Sequence, residues 1–150
     1  MVRDPRDFVS SAIRTWSVQG FDELSRIPWV AEDWLGIRSS DPIERLCMRW
    51  KAYLEAGSNV GGVLFVRYED FCKDKLGTIR DLADQLGLPF NANRVDERKD
   101  QQISHPAVRD YQPRGPGAWK TGLLANEQVR TIERLCAEEM KRWGYLRETG

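Results

Sequence analysis

The sequence predicts an α/β domain that is mostly helical and carries little sheet. Three observations support this. Apolar residues recur at the helical period in four separate segments, one short run at residues 63–68 is dense in strand formers, and 150 residues of which 41% are hydrophobic suffice for one core. One domain is therefore the expectation.

The first helix is specified at its start. Asp4 suits the N-cap, Pro5 suits the first helical position, and Asp7 stands three residues after the cap; Phe8, Val9, Ala12, Ile13 and Trp16 then mark one apolar face. Arg3 before the cap and Ser11 two turns along are polar groups able to approach a phosphate at the positive end of the helix dipole. A capped surface helix with exposed arginines satisfies the same local pattern.

Residues 17–40 keep no sustained period and hold Gly20, Pro28 and Gly36, which predicts an irregular segment with a short helix around residues 30–34. Its Phe21, Trp29, Trp34 and Leu35 suit a substrate wall or a cover for the core. Asp41-Pro42, with Glu44 three residues after the cap, is a second helix start. From there Ile43, Leu46, Cys47, Trp50, Tyr53 and Leu54 predict a buried stripe on a helix reaching about residue 56.

Residues 57–62 break that pattern. The run at 63–68 reads as a buried parallel strand, whose end places Tyr68, Glu69 and Asp70 where open α/β sheets bind ligands. Glu69 and Asp70 opening a further helix is the equal alternative. Residues 74–86 repeat helically through Leu76, Ile79, Leu82, Ala83 and Leu86, and Gly87, Leu88 and Pro89 form the stop. Another short helix is expected within residues 91–100, and a long loop over 101–124. Within that loop Arg114-Gly115-Pro116-Gly117-Ala118-Trp119-Lys120 combines backbone freedom, two cations and an aromatic anchor, which suits closure over a phosphorylated ligand. It matches neither the GxxxxGK[ST] nor the GxGxxG phosphate spacing. The last helix is expected over residues 126–143, with Val129, Ile132, Leu135, Cys136, Met140 and Trp143 on one side and Gly144 at its end.

Lys and Arg total 23 and Asp and Glu total 23, so no surplus charge draws the chain to nucleic acid or to a membrane. Anion binding must come from local clusters. Cys47, Cys72 and Cys136 form no CxxC pair and read as small core residues of a reducing compartment, which predicts a cytoplasmic location. A single histidine, His105, excludes a multi-histidine metal site. No run is long and apolar enough to read as a membrane span or signal peptide.

Three stretches acquire a joint meaning in their order along the chain: Arg3-Asp4-Pro5-Arg6-Asp7 with Ser11 eight residues after the first arginine, Arg67-Tyr68-Glu69-Asp70-Phe71 after the strand, and the glycine-rich loop ending Trp119-Lys120. Together they resemble the carboxyl-terminal half of sulfotransferases, which transfer a sulfuryl group from 3′-phosphoadenosine 5′-phosphosulfate to a hydroxyl or amine. The likeness runs over essentially the whole chain. Its end, Glu133-Arg134-Leu135-Cys136 and Trp143-Gly144-Tyr145, is similar to that of bacterial and carbohydrate-type members.

The resemblance implies one partial domain over residues 1–150, the second half of a three-layer, P-loop-NTPase-like fold with a remnant parallel sheet and four or more helices. Arg3 and Ser11 match the pair that holds the donor's 3′-phosphate, and Tyr68 matches the tyrosine beside the adenine. Arg114 and Gly115 lie in the loop that returns to the same phosphate, although the family often has Arg-Lys-Gly there and this chain does not. Guanidinium grips a phosphate dianion through two hydrogen bonds, and charge-assisted bonds of this kind are worth roughly 1.5 to 3 kcal/mol each. No metal is required.

The family's Lys/Ser/Gly/Thr loop around the 5′-phosphosulfate, and its usual histidine or glutamate base, should precede the Arg-Asp-Pro motif, where only Met1 and Val2 stand. The resemblance therefore implies a sulfotransferase that is amino-terminally truncated, with catalytic residues unassigned and the activity of this chain alone an open question. His105, between Ser104 and Pro106, is a candidate replacement base, though hydrogen bonding to nearby backbone is the commoner role for a loop histidine. The expected acceptor is a small molecule or carbohydrate. Neither nucleic acid nor membrane is an expected partner, and the exposed face of a half sheet would favour self-association. The alternative from another class is a noncatalytic module that binds the nucleotide or a protein.

Overall fold

The computed structural model describes residues 1–18, 36–96 and 115–146. The expected helix at 30–34, with Phe21, Trp29, Trp34 and Leu35 around it, lies outside the described residues, as do His105, Arg114 and most of the loop at 101–124. The described helices are α1 (Pro5–Val18), α2 (Pro42–Ser58), α3 (Tyr68–Lys73), α4 (Lys75–Gln85), α5 (Ala92–Asp96), α6 (Asn126–Leu135) and α7 (Ala137–Arg142), with a 3₁₀ turn at Ala118–Thr121. The chain divides into two compact units. Met1–Val2 and Leu64–Pro116 make the smaller, and Arg3–Val63 and Gly117–Gly150 make the larger.

In the larger unit α1 packs on α2, on the 3₁₀ turn and on α6, and α2 packs on α6. The residues between them are the apolar stripes that helical spacing selects. Val9 from α1, Ile43, Leu46, Cys47, Trp50 and Leu54 from α2, and Ile132, Cys136 and Met140 from the terminal segment are all buried. Removing an aliphatic side chain of this size from water stabilises the fold by roughly 1.5–3 kcal/mol, so this set is the main source of the unit's stability. Asp41 starts α2 as expected, its carboxylate accepting from the Glu44 N–H at 2.9 Å.

Two expectations for this unit need correction. Tyr53 is exposed, because it sits at the edge of the α2 stripe, where its hydroxyl accepts from Arg49 Nε at 3.2 Å in the solvent-facing layer. The single helix expected over 126–143 is interrupted at Cys136, whose φ and ψ are −108° and 13°. At that point Lys51 of α2 donates to the Leu135 carbonyl at 3.2 Å. Gly144 follows α7 at φ 70°, a left-handed position that costs glycine little and other residues more.

The smaller unit corrects the strand. Among the described residues no strand forms over 63–68, and what remains is a single parallel bridge between Val2 and Arg67. Two backbone bonds make it, Val2 N–H to Val66 C=O at 2.7 Å and Tyr68 N–H to Val2 C=O at 2.6 Å. A ladder grows only as far as its partner runs, and Val2 offers one pairing residue before Asp4 and Pro5 turn the chain into α1. At the other end Tyr68 already begins α3. Val63 and Leu64 consequently stay exposed.

α3 packs on α4. Asp74 caps α4 by accepting from the Gly77 N–H at 2.8 Å, and the expected stop at Gly87 is present, with φ 64° and a Leu88 N–H to Ala83 C=O bond of 2.8 Å. Leu76 and Leu86 of the predicted α4 stripe are nevertheless exposed, and α4 contributes no buried residue. Among the described residues no helix is long and apolar enough to cross a membrane.

Candidate functional site

The amino-terminal motif is built as a set of internal ties with Arg3 ahead of them. Asp4 caps α1, one carboxylate oxygen accepting from the Arg6 N–H at 2.8 Å. The Arg6 side chain then folds back on the same carboxylate, with Nε to Oδ1 at 3.0 Å and Nη2 to Oδ2 at 2.7 Å. Its remaining donors reach the end of the chain, Nη1 to Glu133 Oε1 at 2.7 Å and Nη2 to the Tyr145 carbonyl at 3.1 Å. The guanidinium carbon lies 4.3 Å from the Trp119 ring centroid, within the range of a cation–π contact. Only 11% of this side chain is exposed, so Arg6 is not the surface arginine that the local sequence allows. Burial works against its charge, but the hydrogen bonds and Coulombic attraction of Asp4 and Glu133 outweigh it and hold the guanidinium above its ordinary pKa.

Asp7 does something the helix-start pattern did not indicate. Its carboxylate is 1% exposed and accepts two loop amides, Gly117 N–H at 2.7 Å and Trp119 N–H at 2.9 Å. Gly117 has φ 82°, a left-handed conformation that glycine adopts without strain, and it opens the 3₁₀ turn. The second half of the glycine-rich loop is thereby fastened to α1. Lys120 extends from this turn, its Nζ 5.6 Å from the Trp119 ring.

Arg3 and Ser11 are both half-buried. The backbone carbonyl of Arg3 accepts from Trp50 Nε1 at 2.9 Å, which fixes the residue ahead of the helix against α2. Within α1, Asp7 and Ser11 are four apart, the spacing that places residues on one side of a helix, and Arg3 stands just ahead of the cap. The larger unit thus carries both residues expected to hold a 3′-phosphate.

Tyr68 belongs to the smaller unit, where it is half-buried as the first residue of α3. Glu69 and Asp70 fill the first turn of that helix, so they open a helix. Gly115 is exposed and also belongs to the smaller unit, while Arg114 lies outside the described residues. Of the cysteines, Cys47 and Cys136 are buried. Interaction with Cys47, together with burial, pushes the Cys136 thiol far above its usual range. Cys72 is exposed, contrary to the expectation that all three are core residues. Among the described residues no group of His, Cys, Asp and Glu is placed to hold a metal ion.

Sequence reasoning missed the partners of Arg6 and Asp7. A buried carboxylate needs donors, and a glycine- and proline-rich loop has amides unused by secondary structure; that complementarity was the available signal. It does not say which loop meets which acid.

The family model described as Sulfotransferase family matches residues 1–92. No curated protein and no solved structure matches the chain. The matched segment contains the Arg3-to-Ser11 stretch, all of α2 and the Arg67-Tyr68 pair; the loop at 114–120 follows it. The chain therefore belongs to the sulfotransferase family.

Proposed function

We propose that this chain binds the 3′-phosphate and adenine side of 3′-phosphoadenosine 5′-phosphosulfate and serves sulfuryl transfer to a hydroxyl or amine acceptor. The observation that carries the reading is that Arg3, just ahead of α1, and Ser11, within it, are both half-buried and lie inside the segment that matches the family. Arg3 supplies a planar, permanently charged donor suited to a phosphate dianion, Ser11 a hydroxyl, and the amino-terminal end of α1 a favourable dipole. Tyr68 is assigned to the adenine, and Arg114 and Gly115 to the same 3′-phosphate.

On this reading the fold corresponds to the second half of the three-layer sulfotransferase architecture. The parallel sense of the Val2–Arg67 bridge supports that assignment. A cytoplasmic location belongs to the same reading and is supported by free thiols at all three cysteines. In the reaction a bond forms between sulfur and the acceptor oxygen or nitrogen, the acceptor gives up a proton to a base or to water, the bond from sulfur to the bridging oxygen breaks, and adenosine 3′,5′-bisphosphate leaves.

Binding is the step to test first. Calorimetric titration with adenosine 3′,5′-bisphosphate should give a measurable affinity for the wild type. Arg3→Ala removes a charge-assisted contact worth roughly 1.5–3 kcal/mol and should weaken binding about 10- to 150-fold. Equal affinities would remove Arg3 from the site. A donor-turnover assay over mixed hydroxyl and amine acceptors then separates an enzyme from a module that only binds the nucleotide.

A further inference from the structure

We infer that Asp7 is a positioning residue for the 3′-phosphate grip, seating the turn at residues 117–119 on the start of α1, between Arg3 and Ser11 in the chain. The inference rests on the donor-binding reading above. Its physical basis is the placement of a carboxylate midway between two residues assigned to a dianion, where an acid with its charge turned outward would repel the ligand.

Asp7 avoids that conflict because both of its oxygens are committed. Oδ2 accepts from Gly117 and Oδ1 from Trp119, at 2.7 and 2.9 Å, and the group is almost wholly buried. A buried carboxylate is stable only with donors of this kind, so the acid and the turn hold each other in place. Arg6 reinforces the arrangement from the next position by stacking on Trp119 while its donors are held by Asp4, Glu133 and Tyr145. Gly115, assigned to the same phosphate, stands two residues before Gly117, so the turn bears on it through the covalent chain.

The sign of the effect distinguishes positioning from simple electrostatics. Asp7→Asn removes a negative charge near the ligand, which by itself would tighten anion binding. It also puts an amide NH₂ against a loop N–H, which releases one side of the turn. Positioning therefore predicts weaker binding of the 3′-phosphate although a repulsive charge has gone.

The test compares the affinities of adenosine 3′,5′-bisphosphate and adenosine 5′-phosphate, measured by calorimetry on the full chain at fixed ionic strength. The ratio of the two affinities isolates the 3′-phosphate, and a general loss of structure would lower both together. In Asp7→Asn the ratio should fall about tenfold, equivalent to ~1.4 kcal/mol. Gly117→Ala perturbs the same turn from the loop side. A Cβ there meets nothing within 4 Å and acts only through the left-handed φ, so this variant carries the test where Asp7→Asn does not fold. The ratio should fall in it too. A wild type that discriminates between the nucleotides, with the ratio unchanged or raised in the folded variants, overturns the inference alone. A wild type that binds the two alike overturns the donor reading and the inference with it.

Discussion

Replacing Arg6 with Met tests whether the amino-terminal motif is a structural clasp. Met keeps most of the aliphatic stem and deletes the fork, so Asp4 loses its bidentate partner, Glu133 and the Tyr145 carbonyl lose their bonds from Arg6, and Trp119 loses the guanidinium over its ring and keeps Lys120. Stranding one member of a buried pair typically costs 3–5 kcal/mol. The Glu133 side chain is 32% exposed and recovers water, so the main loss falls on Asp4, and about 3 kcal/mol is the expected destabilisation. For a chain of this length that corresponds to a fall in Tm of roughly 6–12 °C. Among the described residues Trp50, Trp119 and Trp143 lie in the larger unit, so urea unfolding followed by tryptophan fluorescence reports on the unit that contains the clasp. Arg6→Lys, which restores the charge but not the fork, should recover only part of the loss. A midpoint for Arg6→Met within about 1 kcal/mol of wild type would refute the clasp, since that is the size of an ordinary surface ion pair.

Two further outcomes follow from buried groups in the same unit. Trp50→Phe removes the donor to the Arg3 carbonyl while keeping most of the ring, and should lower stability by about 1–2 kcal/mol in the same urea assay; no change would mean that water replaces the indole N–H. With a thiol-reactive disulfide at about pH 8, Cys72 should react quickly in the native chain, while buried Cys47 and Cys136 should require denaturant. Fast modification of more than one thiol per native chain would contradict the buried pair.

Local chemistry was legible in the sequence, and partnerships were not. Asp4-Pro5, Asp41-Pro42, Asp74 and Gly87 mark element ends through bonds made within a few residues, so their roles could be read from spacing alone. The buried stripe of α2 was readable for the same reason, except at Tyr53, where the amphipathic ring lies at the stripe's edge. The run at 63–68 shows the opposite case. Its residues favour a strand, but strand length is set by a neighbour, and the neighbour here is Val2 alone among the described residues. Of the candidate site, Arg3, Ser11 and Tyr68 were found through resemblance, whereas the ties of Arg6 and Asp7 span up to 139 and 112 positions and have no local signature.

The division of labour within residues 3–11 changes how the motif should be interpreted. A run of arginines and aspartates ahead of a helix suggests an anion site, yet Asp4, Arg6 and Asp7 are consumed by one another, by the loop and by the chain's end. Loss of nucleotide binding on mutating any of these three would therefore not identify a ligand contact, because each also holds structure. Arg3 and Ser11 differ in that the assignment asks their side chains to face the ligand, while the Arg3 carbonyl accepts from Trp50. The informative comparison is consequently between variants at Arg3, which should lose affinity out of proportion to stability, and variants at Arg6, which should lose stability first. If the two classes behave alike, the motif is a clasp throughout and the phosphate site must be sought elsewhere in the chain.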